Sequence, residues 1–292
     1  MSNNLLALVK LTRIGLPTGY LLCFFPACYG LVLASVDLYW LKFVPLFLVG
    51  SVIARSAGCI INDVFDRDYD LHVNRTKTRP LASGEVSTKS AIIGLALISI
   101  VGINIILCLS KLAIYLCLIA ILMIILYPLM KRITYFPQIF LGFTFNMGVL
   151  IAYTNIKNYI SAESLIMYLS CCFWTIGFDT IYGFADTEDD EKIGIKSLSI
   201  LLKYRKYKYY ISFFYVTFIG LFYFAIWLTD GNIVNNTGFN LCIFISMTLL
   251  LYQPWVLNIA NSDNCITIFK LNNYIGFILL IAIAMVKYQI AL

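Results

Sequence analysis

The sequence predicts an all-α fold, a polytopic membrane bundle of about nine spans of roughly 20 residues. Three observations predict it. The chain is 61% hydrophobic and only 12% charged, whereas soluble domains carry about a quarter charged residues. So few charges cannot cover a water-facing surface of this size. Apolar runs of membrane-spanning length recur along the whole chain. They are long and continuous rather than short and alternating, which selects helices over a closed barrel.

The spans centre near Phe25, Ser51, Leu97, Met123, Gly142, Phe173, Val216, Ile245 and Leu280. The start, MSNNLLALVKLTRIGLP, has no signal-peptide cleavage pattern, so its first long apolar run is expected to stay as a helix. The Met123 and Gly142 spans are joined by the short Lys131–Pro137 turn. The Ser51 and Phe173 spans each run directly into an acidic segment.

Basic residues set the orientation. With the N-terminus in the cytoplasm, Lys10, Arg13, Arg67, Arg75, Lys77, Arg79, Lys89, Lys131, Arg132, the run from Lys192 to Lys208, and Lys270 all fall on the cytoplasmic side. The opposite side holds Lys42, Lys111, Lys157 and Lys287. The two longest loops, Asp63–Lys89 and Asp186–Lys208, are cytoplasmic in this scheme. No coil of linker length interrupts the chain, so residues 1–292 read as a single domain. Most of the nine cysteines lie inside apolar runs, with no CxxC pair and no Cys/His spacing for zinc.

The first acidic segment, residues 62–70, reads Asn62-Asp63-Val64-Phe65-Asp66-Arg67-Asp68-Tyr69-Asp70. As a continuation of the second span, at about 100° per residue, it puts Asp63, Asp66 and Asp70 on one face with Asn62 at its edge and Asp68 turned away. The second, residues 179–190, reads DTIYGFADTEDD; on one continuous helix it aligns Asp179, Asp186 and Asp190. Carboxylates crowded on one face at a membrane boundary repel, and burying them unpaired is costly. A hard divalent cation resolves this. Magnesium takes oxygen ligands and bridges one or two carboxylates to substrate phosphates. Two such faces opposed would clamp a diphosphate leaving group.

Arg75, Lys77 and Arg79 follow the first segment and Lys196 the second; Arg75, Arg79 and Lys196 are the candidates for phosphate oxygens. Arg55 lies within the second span, where an arginine is functional or paired. Reading the carboxylate of an acidic acceptor and pairing with Asn62 or another helix both remain open. His72, the sole histidine, sits in the loop after Asp70 and is expected to be exposed. Phe65, Tyr69, Phe178 and Tyr182 lie near the motifs and are candidates to stabilise an allyl cation through their ring faces.

The run Arg55–Asp63, the NDxxDxxxD pattern ending at Asp70, Arg75-Thr76 and Arg79-Pro80-Leu81 resemble the UbiA-type superfamily of membrane aromatic prenyltransferases. So do Tyr127-Pro128 with Lys131-Arg132, Asp179-Thr180-Ile181-Tyr182, Asp186xxxAsp190, Ile193–Ser197 and Asn272–Gly276. Within the superfamily, the DTxY element and the IGIKS run are most similar to the 4-hydroxybenzoate polyprenyltransferases of ubiquinone biosynthesis.

The resemblance implies that the nine spans surround a central cavity capped by the two Asp-rich loops, and that Asp63, Asp66, Asp70, Asp186 and Asp190 are catalytic and hold Mg2+. It further implies that Asn62, Arg55, Arg75, Arg79, Lys131, Asp179, Tyr182 and Lys196 bind substrates. The expected partners are polyprenyl diphosphate, 4-hydroxybenzoate and the lipid bilayer, with no nucleic acid. The expected site is the bacterial inner membrane, with the Asp-rich loops cytoplasmic. Rival readings are a prenyltransferase for a haem or naphthoate acceptor, a polytopic transporter, and a non-catalytic scaffold. A transporter is expected to carry its key charges at mid-bilayer, whereas here, apart from Arg55, they gather at one membrane face.

Overall fold

The computed structural model describes residues 2–229 and 231–288. Among them there is no strand, and nine helical stretches are long and apolar enough to cross a membrane, matching the expected spans. In order the α-helices are α1 (Ser2–Thr12), α2 (Pro17–Ala34), α3 (Val44–Asp70), α4 (Thr88–Leu107), α5 (Lys111–Ile133), α6 (Pro137–Phe145) and α7 (Met147–Lys157). They continue with α8 (Ala162–Gly183), α9 (Thr187–Lys192), α10 (Leu198–Lys203), α11 (Tyr207–Thr229), α12 (Thr237–Val256), α13 (Ser262–Lys270) and α14 (Asn272–Lys287).

Helix α3 matters most for the site. Its 27 residues extend about 40 Å, against a hydrocarbon core of about 30 Å. It is thus longer than the hydrocarbon core, and its last two turns carry the first acidic segment. Helix α4 has only Ala91 buried, and Ile92, Leu97, Ile100 and Leu107 are exposed, as a lipid-facing helix requires.

Two expected spans are broken. The span near Gly142 divides into α6 and α7 at Asn146, whose Nδ2 donates to the Gly142 carbonyl (2.7 Å), the Cys171 carbonyl (3.1 Å) and Thr175 Oγ1 (2.8 Å). That side chain ties the break to α8. The last span divides at Leu271 into α13 and α14. Helix α1 is additional to the expected spans. Its Ala7 and Leu11 bury themselves with Ile60, Leu81, Val86 and Ala91, which fixes the N-terminal segment against α3 and α4.

Close packing and buried polar bonds hold the rest. A Cβ at Gly30 would press against the backbone of Val149, so glycine there lets α2 and α7 approach closely. Trp174 Nε1 donates to Asn272 Oδ1 at 2.8 Å, Asn272 Nδ2 donates to Gln253 Oε1 at 3.2 Å, and Tyr215 OH donates to the same oxygen at 2.8 Å. This knot joins α8, α14, α12 and α11, and it gives Asn272 of the Asn272–Gly276 run a structural reason.

Candidate active site

At the end of α3, Asp63, Asp66 and Asp70 are 1%, 1% and 6% exposed. Phe65, Arg67, Asp68 and Tyr69 between them are exposed. The three carboxylates share one helix face, as their spacing predicts. Buried carboxylates need partners, and the chain provides them from distant segments. Arg13 Nη2 donates to Asp63 Oδ1 at 2.5 Å. Arg79 Nη1 donates to Asp63 Oδ1 at 3.2 Å and to Asp70 Oδ2 at 2.7 Å. Lys131 Nζ donates to Asp66 Oδ2, while Asp66 Oδ1 is buried with no hydrogen-bond partner.

The second segment is not one continuous helix. Helix α8 ends at Gly183, a 3-10 turn covers Phe184–Asp186, and α9 begins at Thr187. Asp179, Asp186 and Asp190 nevertheless line one cavity, together with Asn62, Asp63, Asp66 and Asp70. The loop after α3 bridges the segments. Arg75 Nε donates to Asp186 Oδ1 at 2.7 Å, its Nη2 donates to Asp186 Oδ2, and its Nη1 donates to Tyr182 OH at 2.9 Å. This is the planar fork of arginine matched to a carboxylate. Burial by itself would lower the Arg75 pKa; Tyr182 and Asp186 outweigh burial and raise it, so the group stays charged. The Asn74 amide also donates to Asp189 Oδ2 at 2.8 Å.

Below the acidic rim the cavity, of about 1380 Å³, descends along α3, α4 and α5. Leu46, Ile53, Ile103, Ile106, Ile121 and Ile124 are among its apolar walls. Arg55 opens onto it. Among the described residues Arg55 has no hydrogen bond or salt bridge; its guanidinium lies 5.8 Å from the centre of the Phe145 ring and its Nε lies against Gly19. Of the alternatives left open by the sequence, a hydrogen bond to Asn62 is not made, and both side chains face the cavity. Asp179 feels the charge of Arg55 and makes no side-chain hydrogen bond among the described residues.

The structure thus gathers Asn62, Arg55, Arg75, Arg79, Lys131, Asp179 and Tyr182 around the two acidic segments. Lys196 is not among the residues that line the cavity. Its side chain turns away from the cavity, with Nζ donating to the Ile133 carbonyl at 3.4 Å and lying 5.7 Å from the Tyr135 ring centre. The reason is that its backbone amide binds the Lys131 carbonyl at 2.9 Å, which makes Lys196 a brace for Lys131. Phe65 is 39% exposed and outside the cavity, whereas Tyr69, Phe178 and Tyr182 line it. His72 is exposed, as expected.

Sequence reasoning missed Arg13, Cys59 and Tyr127, which also line the cavity. Arg13 had a readable signal, a basic residue next to a span, yet charge counting gave it only an orienting role. Its backbone φ of 54° is unusual for a non-glycine residue, and the turn it forms aims its side chain at Asp63.

The donor set suits magnesium in one particular way. Among the described residues no three acidic, cysteine or histidine side chains converge on one point as a closed metal cage. All the acidic donors are oxygens around a shared cavity, and Asp66 Oδ1 is buried with no hydrogen bond, facing the Arg132 guanidinium at 3.8 Å. That fits an ion held by one or two carboxylates and completed by substrate phosphates and water.

Comparisons with known proteins identify the family and the fold. The profile of the UbiA prenyltransferase family matches residues 23–281. A 4-hydroxybenzoate octaprenyltransferase of Shewanella oneidensis is 37% identical over 275 residues, covering 94% of each chain. One from Francisella tularensis subsp. tularensis is 38% identical over 286 residues, covering 98% of each. The fold is shared with a UbiA homolog from Aeropyrum pernix K1, with a TM-score of 0.75, 22% identity, and coverage of 91% of this chain and 97% of that one. It is shared also with a UbiA homolog from Archaeoglobus fulgidus bound to GPP and Mg2+, with a TM-score of 0.71, 14% identity, and coverage of 97% and 99%. The chain is a member of the UbiA prenyltransferase family.

Proposed function

We propose that this chain transfers a polyprenyl group from polyprenyl diphosphate to the 3-position of the 4-hydroxybenzoate ring, releasing diphosphate, as a step of ubiquinone biosynthesis. The observation that carries the reading is a single cavity with two acidic segments at its rim, Arg55 below them with no hydrogen bond or salt bridge among the described residues, and apolar walls beyond. Relatives that cover nearly the whole chain bear the corresponding name. The protein acts in the bacterial inner membrane, with its N-terminus and both acidic segments at the cytoplasmic face, and residues 1–292 act as one domain.

In this reading Asp63, Asp66, Asp70, Asp186 and Asp190 hold Mg2+, with Asn62 beside them. When bound, magnesium supplies neutralisation of the charge that builds on the departing diphosphate. Arg75, Arg79 and Lys131 surround the same rim and bind phosphate oxygens. As the carbon–oxygen bond at C1 of the isoprenoid breaks, the electron pair leaves with the diphosphate. Tyr69, Phe178 and Tyr182 present aromatic rings near the allyl cation that remains. The acceptor ring attacks that cation from the carbon ortho to its hydroxyl and then loses the proton from that carbon. Arg55 holds the acceptor carboxylate and Asp179 faces its hydroxyl. The chain supplies positioning, charge and exclusion of water rather than a nucleophile.

The test is an assay of membranes holding the protein, with 4-hydroxybenzoate and a polyprenyl diphosphate, with and without EDTA, alongside Asp66→Ala and Asp186→Ala. Ring prenylation that EDTA abolishes, magnesium restores and both variants lack is the expected result. Prenylation of a haem or naphthoate in place of 4-hydroxybenzoate would overturn the acceptor assignment. Folded protein that consumed no prenyl diphosphate with any acceptor would overturn the transferase assignment.

A further inference from the structure

One charged patch takes no part in the site described above. It lies where α10 turns into α11, in the sequence Lys203-Tyr204-Arg205-Lys206-Tyr207-Lys208-Tyr209-Tyr210. The turn is tight: the Arg205 amide binds the Leu202 carbonyl at 2.9 Å, the Tyr207 amide the Arg205 carbonyl at 2.8 Å, and the Tyr209 amide the Lys206 carbonyl at 3.0 Å. Four basic side chains are thereby set at the mouth of the span Tyr207–Thr229.

Their charge is mostly uncompensated. Lys203 pairs with Glu191 at 3.0 Å. Among the described residues Arg205 and Lys206 have no ion pair, and both are exposed. Lys208 Nζ sits 5.3 Å from the ring centre of Trp255, in the last turns of α12. Tyr209 meets the same indole edge-on at 6.0 Å. Trp255 and Tyr209 are 57% and 62% exposed, so an aromatic surface continues from the cations down the side of the bundle.

We propose that this turn, with Trp255, is a seat for the headgroup of an anionic phospholipid. The cations meet the phosphate, and the indole and phenol rings take the glycerol and upper acyl region, where tryptophan and tyrosine reside in membrane proteins. Clusters of basic residues directly beside a span attract anionic lipid in this manner. A free phosphate would use the cations alone and leave the adjoining rings without a role, which is why the lipid is the chosen occupant. Glu191, in α9 directly after the second acidic segment, contacts both Lys203 and Tyr204 (3.0 and 3.3 Å), so a seated lipid lies next to the wall of the catalytic rim.

The test titrates the purified full chain, in zwitterionic detergent, with short-chain phosphatidylglycerol, matched phosphatidylcholine and glycerol phosphate. Binding is read by tryptophan fluorescence and by thermal unfolding. The wild-type chain is expected to prefer phosphatidylglycerol over phosphatidylcholine by at least about tenfold. The ceiling is about a hundredfold, for three cations at about 1 kcal/mol each. The triple variant Arg205→Gln, Lys206→Gln, Lys208→Gln is expected to lose the preference while keeping its helical spectrum and its prenyl transfer in detergent. Equal affinity for the two lipids in the wild type, or a preference that survives in the triple variant, would overturn the proposal. Glycerol phosphate binding as tightly as phosphatidylglycerol would replace the lipid by a free anion and would likewise overturn it.

Discussion

Replacing Arg55 by lysine separates the two roles open to this residue. The guanidinium lies eleven residues before Asp66, about 16 Å along a continuous helix. It faces the cavity with no hydrogen bond or salt bridge of its own among the described residues. If it holds the acceptor carboxylate, it does so with two parallel charge-assisted hydrogen bonds. Lysine keeps the charge beside Asp179 but cannot reproduce the fork. Losing one charge-assisted bond costs about 1.5–3 kcal/mol, so KM for 4-hydroxybenzoate is expected to rise about tenfold to a hundredfold. KM for the prenyl diphosphate, held at the other end of the cavity, is expected to stay within about twofold, because sites that share no partner act nearly independently. Steady-state kinetics with each substrate varied in turn provides the measurement, with thermal unfolding to check the fold. An unchanged acceptor KM in Arg55→Lys would refute carboxylate recognition and leave Arg55 as a counter-charge to Asp179, a role that lysine also fills.

Arg13→Gln removes the cation nearest Asp63. It is expected to lower kcat/KM by about tenfold to a hundredfold and to shift the magnesium concentration needed for half-maximal activity; an unchanged magnesium titration would show that Arg13 does not position Asp63. Lys196→Gln is expected to leave KM for prenyl diphosphate within about twofold, as substitutions outside a site's contacts do, because its side chain points to Ile133 and Tyr135. A rise above tenfold in that KM would return Lys196 to the phosphate site. Asn272→Ala leaves Trp174 Nε1 without its acceptor and removes one of the two donors to Gln253 Oε1; it is expected to cost about 1–3 kcal/mol, seen as a drop of several degrees in Tm in detergent; an unchanged Tm would mean that the Asn272 bonds contribute nothing to stability.

The sequence by itself determined the fold class, the number of spans and the pairing of two acidic segments. These are one-dimensional properties: apolar run length, charge content and the 100° helical step. The face shared by Asp63, Asp66 and Asp70 followed from that step because α3 continues unbroken past the membrane boundary. The second face did not follow so simply, since the 3-10 turn at Phe184–Asp186 breaks the step. Breaks at Asn146 and Leu271 escaped notice for a related reason, as a hydropathy window averages over a single kink.

Only the tertiary structure decided which cation meets which carboxylate. Arg13 reaches Asp63 across 50 positions of sequence, Lys131 reaches Asp66 across 65, and Arg75 reaches Asp186 across 111. Spacing carries no information at such separations; helix packing and the fold of the loop after α3 set these contacts. Lys196 illustrates the converse. It stands beside the second acidic segment in sequence, but the amide that fastens it to Lys131 turns its side chain outward. Residue type limited what each of these groups is able to do, and packing chose the partner each one has.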